Sequence, residues 1–166
     1  MAVPIRPPQF APCRLADVVA NVFQTLRILA DEGKVALRTE ALDTLPVIRA
    51  DESRLFNALY NLVNNAIPEV PSGGSITVQG RTDPSGKQVV LSVIDTGKGM
   101  SPEVRDSLFS YRAISRKVGG TGLGTKIVKD VVDAHGGTIV VESTEGKGTA
   151  FHITLSIDGP APNEKA

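Results

Sequence analysis

The 166-residue chain predicts an α+β fold, with helices on one face of a mainly antiparallel or mixed sheet. Three observations lead there. Segments at 76–95 and 138–157 alternate apolar and polar residues about Gly-containing turns, as hairpins do. Three other stretches repeat apolar residues at helical spacing. The two kinds of element do not alternate as regular βαβ units.

Each element follows from local signals. Residues 1–13 hold four prolines and read as an extended arm or linker. Leu15, Val18, Val19, Val22, Leu26 and Leu29 recur at helical intervals, with Gly33 as the stop. Val35–Thr39 and Val47–Arg49 are short strands. Asp51 caps a helix through Leu55, Leu59, Leu62, Val63 and Ala66, and Pro68 ends it. Ile76–Arg81 and Gln88–Asp95 flank the loop Asp83-Pro84-Ser85-Gly86. Ser101-Pro102-Glu103 starts a helix, with a capping hydroxyl, proline in the first turn and then an acid. A glycine-rich loop at 119–124 precedes a helix carrying Leu123, Ile127, Val128, Val131 and Val132, which stops at Gly136-Gly137. Thr138–Ser143 and Thr149–Ile157 form the second hairpin, and the tail 158–166 reads as disordered.

Composition narrows the function. Apolar residues make up 41% and charged residues 22%, which suits one globular domain with a core. The single cysteine excludes a disulfide scaffold and a cysteine zinc cluster, and sits easily with a reducing cytoplasm. Eighteen basic and 18 acidic residues leave no net charge, against a general nucleic-acid or membrane-surface binder. No apolar run reaches the roughly 18 residues of a membrane span, and the first residues carry no signal-peptide core.

Four segments carry candidate chemistry. Asn57, Asn61 and Asn65 lie four apart, on one face of their helix. A solvated face would more often carry Glu, Lys or Arg; these amides are either surface filler or a row of neutral oxygen donors toward a pocket. An amide oxygen can complete the shell of a phosphate-bound Mg²⁺. In VIDTGKGM (93–100), Asp95 ends an apolar strand, where its carboxylate can accept a hydrogen bond from an exocyclic amine such as that of adenine. Gly97 and Gly99 let a ligand approach the backbone. GGTGLG (119–124) opens a helix whose free N–H groups and positive dipole end suit phosphate. It is neither a Walker loop nor a strand-following dinucleotide motif. GKGTAF (146–151) alone is a hairpin turn.

Taken in order, these segments resemble the ATP-binding catalytic domain of sensor histidine kinases, in the wider group that includes gyrase, the Hsp90 chaperones and the MutL mismatch-repair proteins. NALYNLVNNA (57–66) looks like the N box of that family and VIDTGKGM like its first glycine box. GGTGLGTKIVKDVVDAHGGTIVVES (119–143) is similar to the second glycine box with its following helix and strand, and GKGTAFHITL (146–155) to the end of the domain. The resemblance spans about residues 14–157. It implies a two-layer α/β sandwich, the Bergerat ATP-binding fold, with about three main helices on one face of a mixed sheet and an ATP lid.

By that resemblance Asn65 is the Mg²⁺ ligand and Asn61 lies near the phosphates. Asp95 holds the adenine amino group, with Gly97, Gly99 and Met100 lining the base pocket. Thr121, Gly122, Leu123 and Gly124 wrap the phosphates, and Thr149 reaches the adenine site. Residues 110–120 would be the lid, where Arg116 or Lys117 neutralises γ-phosphate charge. Hydrolysing relatives carry Glu in place of Asn61, so this chain is expected to hold ATP for transfer with little intrinsic hydrolysis.

The sequence departs from the family in four places. Pro68 and Glu69 stand where kinases often have Lys and an aromatic. The lid lacks the second Phe of its usual pair, and Thr125 replaces the more frequent Leu. The only histidines are His135, at a helix end, and His152, in the last strand. Neither suits a phosphoacceptor on a dimerising helical hairpin. The resemblance therefore implies a protein-histidine kinase catalytic domain that needs ATP and Mg²⁺. Its partners would be a histidine-containing dimerisation domain, upstream or in trans, and a downstream response regulator. Its location would be cytoplasmic, including as the cytoplasmic part of a membrane-anchored sensor. The alternatives are an anti-sigma-factor-type serine kinase and an interaction module that has lost ATP.

Overall fold

The helices are amphipathic and must bury one face, and the strands supply the surface that receives them. In a computed structural model that describes residues 7–106 and 123–160, helix α1 (Leu15–Glu32) buries Leu15, Val18, Val19, Val22, Phe23 and Leu26. Gly33 ends it, as its position predicts. Helix α2 (Glu52–Ala66) starts where Asp51 Oδ1 accepts the Arg54 amide at 3.1 Å, the expected cap. It gives way to a single 3₁₀ turn (Ile67–Glu69) that contains Pro68. The short α3 (Pro102–Asp106) begins where Ser101 Oγ accepts the Val104 amide at 3.3 Å. Helix α4 (Leu123–Ala134) follows the glycine-rich loop, and Gly136 turns the chain out of it with φ 67°.

Seven strands are described. β1 (Ala11–Cys13) pairs antiparallel with β3 (Ile48–Ala50) in a two-stranded ribbon, so part of the N-terminal arm is already sheet. The main sheet has the order β2-β4-β5-β7-β6, from β2 (Ala36–Glu40), β4 (Ser75–Thr82), β5 (Gln88–Asp95), β7 (Gly148–Ser156) and β6 (Thr138–Thr144). Only β2–β4 is parallel; the other neighbours are antiparallel. Both hairpins of the sequence reading are present, and the sheet is mixed as expected.

Register sorts the faces. Leu91 lies opposite Ile153, and Ile153 opposite Ile139. With Val89, Val93, Ile76, Val78 and Leu155 these side chains make the inner face, and they join α1, α2 and α4 in one core. That is the two-layer architecture the resemblance implies. Among the described residues no helix is long and apolar enough to cross a membrane.

Two long-range links orient the helical layer. The buried His135, at the C-terminal end of α4, accepts the Asp51 amide at the N-terminal end of α2, at 3.0 Å. Helices α2 and α4 are thus antiparallel, and α4 is about 18 Å long at 1.5 Å per residue. The start of α4 therefore lies toward the C-terminal end of α2. At that end the Lys98 amide donates to the Glu69 carbonyl at 3.3 Å, joining α2 to the loop after β5. The sheet end with Asp95, the asparagine end of α2 and the start of α4 converge.

Candidate functional site: a polar row at one end of the sheet

The pocket begins as one row of the sheet. Ile76, Asp95, Thr149 and Ser143 are successive cross-strand partners on β4, β5, β7 and β6. Apolar residues fill the same face further along, so the row marks where the apolar core gives way to polar groups. An open depression of about 200 Å³ lies at this end of the sheet; besides Asp95, Ser143, Gly148 and Thr149 its lining takes in Ile94, Glu142 and Ala150, which alternate to the opposite face.

Asp95 is held in place by the loop that follows it. Its Oδ1 accepts the Gly97 amide at 2.8 Å, which fixes the carboxylate against the glycine loop. Burial pushes its pKa above the ordinary value; the Gly97 and Thr149 amides oppose that, and the negative charge of Glu69 adds to it. A carboxylate kept short of partners in a half-buried site gains from any donor brought by a ligand.

The loop Thr96–Met100 folds against the β6–β7 turn. The Gly146 amide donates to the Lys98 carbonyl at 2.6 Å, and the Met100 amide donates to Ser143 Oγ at 2.7 Å. Gly99 has φ 71°, and a Cβ there would run into the Thr144 carbonyl. Gly148 has φ 102°, and its Cβ would meet the Asp95 carbonyl. The close approach that requires glycine at 99 is therefore made by the protein's own backbone. The sequence alone points to a ligand there; the structure puts the Thr144 carbonyl in that place.

Asn57, Asn61 and Asn65 lie on the less buried side of α2, opposite Leu55, Leu59 and Leu62. Asn61 Nδ2 donates to the Asn57 carbonyl at 2.7 Å and to Asn57 Oδ1 at 3.1 Å. Asn65 makes no side-chain hydrogen bond among the described residues. No group of three or more His, Cys, Asp or Glu gathers among those residues into a metal cage. The donor set on α2 is therefore neutral amide, which fits a hard divalent cation whose other ligands are phosphate oxygens and water.

The structure thus places Asp95, Gly97, Gly99, Met100 and Thr149 together, with Asn61 and Asn65 on the helix whose end adjoins them. Leu123 and Gly124 are the first residues of α4, the end at which the backbone N–H groups and dipole of a helix suit phosphate. Thr121, Gly122, Arg116, Lys117 and the rest of the expected lid lie outside the described residues. Sequence reasoning missed Ser143. Its signal was present: the alternation of β6 puts Ser143 on the face of Ile139 and Val141, where an isolated hydroxyl breaks an apolar series.

Neither histidine is placed to accept phosphate from this site. His135 is 2% exposed, and both ring nitrogens are engaged, Nε2 by the Asp51 amide and Nδ1 by the Val131 carbonyl at 2.8 Å. His152 shares a row with Ser92 and Val140 on the opposite face of the sheet from Asp95.

Comparison with known proteins agrees with this geometry. Residues 50–159 match the model of the family described as histidine kinase-, DNA gyrase B- and HSP90-like ATPases. The chain is 42% identical over 144 residues to the sensor histidine kinase ZraS of Escherichia coli strain K12, covering 87% of this chain and 30% of that protein. It thus spans under a third of the length of that relative. Among solved structures, the catalytic domain of histidine kinase ThkA superposes with a TM-score of 0.79 at 26% identity, covering 90% of this chain and 97% of that one. Full-length ShkA in complex with AMPPNP superposes with a TM-score of 0.81 at 28% identity, over 98% of this chain and 34% of that one. A sheet-end carboxylate beside a glycine loop, an asparagine helix and a matching family model lead to one assignment: the chain belongs to the histidine kinase-, DNA gyrase B- and HSP90-like ATPases, as an ATP-binding catalytic domain of the sensor-histidine-kinase type.

Proposed function

We propose that residues 14–157 bind Mg-ATP and donate its γ-phosphate to a histidine on a separate dimerisation and phosphotransfer domain, with a response regulator downstream. The observation that carries this reading is the row Asp95–Thr149–Ser143 at the end of the sheet toward which α2 and α4 converge. Asp95 accepts the exocyclic amine of adenine. Gly97 and Met100 set the loop beneath the base, and Thr149 supplies a hydroxyl beside it. The α4 start, including Leu123 and Gly124, offers phosphate its first-turn backbone and the positive end of the helix dipole. Asn65 is the protein ligand for Mg²⁺, and Asn61 stands one turn away. The metal, when bound, neutralises phosphate charge.

Asn61 cannot act as a general base, because an amide has no basic carboxylate. That favours transfer over hydrolysis. In the transfer, an acceptor imidazole nitrogen forms a bond to the γ-phosphorus, the bond to the β–γ bridging oxygen breaks, and ADP leaves. The domain contributes positioning and charge neutralisation. A cytoplasmic site with its ATP supply follows, whether or not the full-length protein is membrane-anchored.

Calorimetric titration with a non-hydrolysable ATP analogue tests the site. We expect binding that depends on Mg²⁺ and falls at least tenfold in Asn65→Ala and in Asp95→Ala. Unchanged affinity in both variants overturns the assignment. Incubation with γ-labelled ATP and a histidine-bearing hairpin domain should give an acid-labile, base-stable phosphoprotein. Acid-stable phosphoserine on a partner would favour a serine kinase instead.

A further inference from the structure

Ser143 lies at the meeting point of three segments of the pocket, and nothing above gives it a role in recognition. It is 7% exposed, and its hydroxyl has three neighbours. The Met100 amide donates to Oγ at 2.7 Å, Oγ lies 3.1 Å from the Gly148 carbonyl, and Oγ lies 2.8 Å from Thr149 Oγ1. A hydroxyl has one proton and two acceptor lone pairs. The Met100 N–H can only donate, so it occupies one lone pair. The Gly148 carbonyl can only accept, so it takes the Ser143 proton. The remaining Ser143 lone pair must then receive the Thr149 proton. With all three bonds made, Thr149 Oγ1 has no proton left to give and presents lone pairs only.

We propose that Ser143 is a specificity-determining positioning residue. By taking the Thr149 proton, it turns the Thr149 hydroxyl into an acceptor beside the Asp95 carboxylate. The two groups share one cross-strand row and so stand side by side at the base edge. With the base held so that its 6-substituent meets Asp95, two adjacent acceptors can each take one proton of the adenine 6-amino group, directly or through a bound water. In the same pose they repel the 6-oxo group of guanine, which is itself an acceptor. Ser143 thus sharpens selection of adenine over guanine nucleotides without touching the base. The inference rests on the reading that Asp95 and Thr149 face the base.

The test is the ratio of affinities for non-hydrolysable ATP and GTP analogues, measured with Mg²⁺ on the same protein sample. Both ligands bind the same folded population, so loss of stability alone leaves the ratio unmoved. In Ser143→Ala the Thr149 proton is released and can serve a 6-oxo group, and the ratio should fall about tenfold, one neutral hydrogen bond. In Thr149→Val the hydroxyl is gone, and adding Ser143→Ala should change the ratio no further. A Ser143→Ala ratio equal to that of the parent overturns the proposal. So does a fall of the same size in the Thr149→Val background. Asp95→Asn separates the underlying reading: if it leaves ATP-analogue affinity unchanged, the base contact is misassigned. If it weakens binding while the Ser143→Ala ratio stays put, only the role of Ser143 fails.

Discussion

Two carboxylates stand at opposite ends of the helical layer, Asp51 buried and Asp95 half-buried, and they are treated in opposite ways. Asp51, at the start of α2, is saturated. Its Oδ1 accepts the Arg54 amide; its Oδ2 accepts the Gln9 amide at 2.8 Å and faces Arg54 Nε at 3.1 Å. Burial alone would raise its pKa, but the Gln9 and Arg54 amides, the Arg54 guanidinium and His135 outweigh burial and hold it low. Asp95, at the end of β5, has two amides against burial and a like charge, and burial wins. One end spends its carboxylate on the fold; the other, in the function proposed above, keeps it for a ligand. A domain of this size has about 5–15 kcal/mol of net stability, so it can leave few polar groups under-partnered. Where it does so is informative about function.

Breaking the closed end should have the largest effect. His135 joins α4 to α2, and Phe10 meets its ring edge-on at 5.1 Å between centroids. His135→Ala removes a packed ring and strands the Asp51 amide. We expect a loss of about 3 kcal/mol in urea unfolding. Nucleotide affinity of the remaining folded protein should be near that of the parent. A loss of affinity without a loss of stability would mean that the two ends are not separable.

At the open end, Asp95→Asn should cost binding and not folding. The amide oxygen can still accept the Gly97 N–H, while the charge-assisted bond to an exocyclic amine is lost. Affinity for the ATP analogue should fall by about 2 kcal/mol, some thirtyfold. The nucleotide-free variant should be at least as stable as the parent at pH 7, because the buried charge is gone. A destabilised variant would place Asp95 with Asp51.

Acid separates the two ends by sign. Burial, with the Arg54 charge, holds His135 below its ordinary 6.5, against the Val131 carbonyl and Asp51. Its unfolded form takes up a proton first, so this contribution is full above about pH 6.5 and is lost as pH falls below it. Asp51 behaves likewise lower down: its contribution is present above its ordinary 3.8 and is lost as pH falls through its depressed folded value. Asp95 runs the other way. Its cost is present above its raised folded value and is relieved as pH falls toward 3.8. Stability curves from pH 7 to 5 should slope downward in the parent and flatten in a His135→Gln variant. A slope that survives the substitution would assign acid sensitivity elsewhere.

What sequence could reveal follows the range of the interaction. The Asp51 cap was legible because its partner is three residues away, and the hairpins because alternation and turn residues are local. The motif order pointed to the family. The parallel pairing of β2 with β4 was not legible, because no local signal encodes it. Nor was the bond from Asp51 to His135, 84 residues apart. Ser143 showed only as a break in an apolar alternation; its meaning appears when β7 brings Thr149 to it.

The smallest effect concerns Glu69, which stands where the resemblance implies an aromatic, one residue after an expected lysine. It stands on the 3₁₀ turn after α2, and Lys98 Nζ lies 3.9 Å from Oε2, both well exposed. Solvent and salt screen such a pair, so its own worth is small. Its negative charge still adds to the raised pKa of Asp95 and stands near any phosphate that Asn65 helps to bind. Glu69→Gln should therefore tighten binding of the ATP analogue about two- to threefold at low salt, with the gain fading at about 0.5 M salt as the Debye length falls below roughly 5 Å. Such a gain would make Glu69 a standing brake on the open end, set by charge alone. No gain at low salt would leave burial and the sparse hydrogen bonding of Asp95 as the whole difference between the two carboxylates.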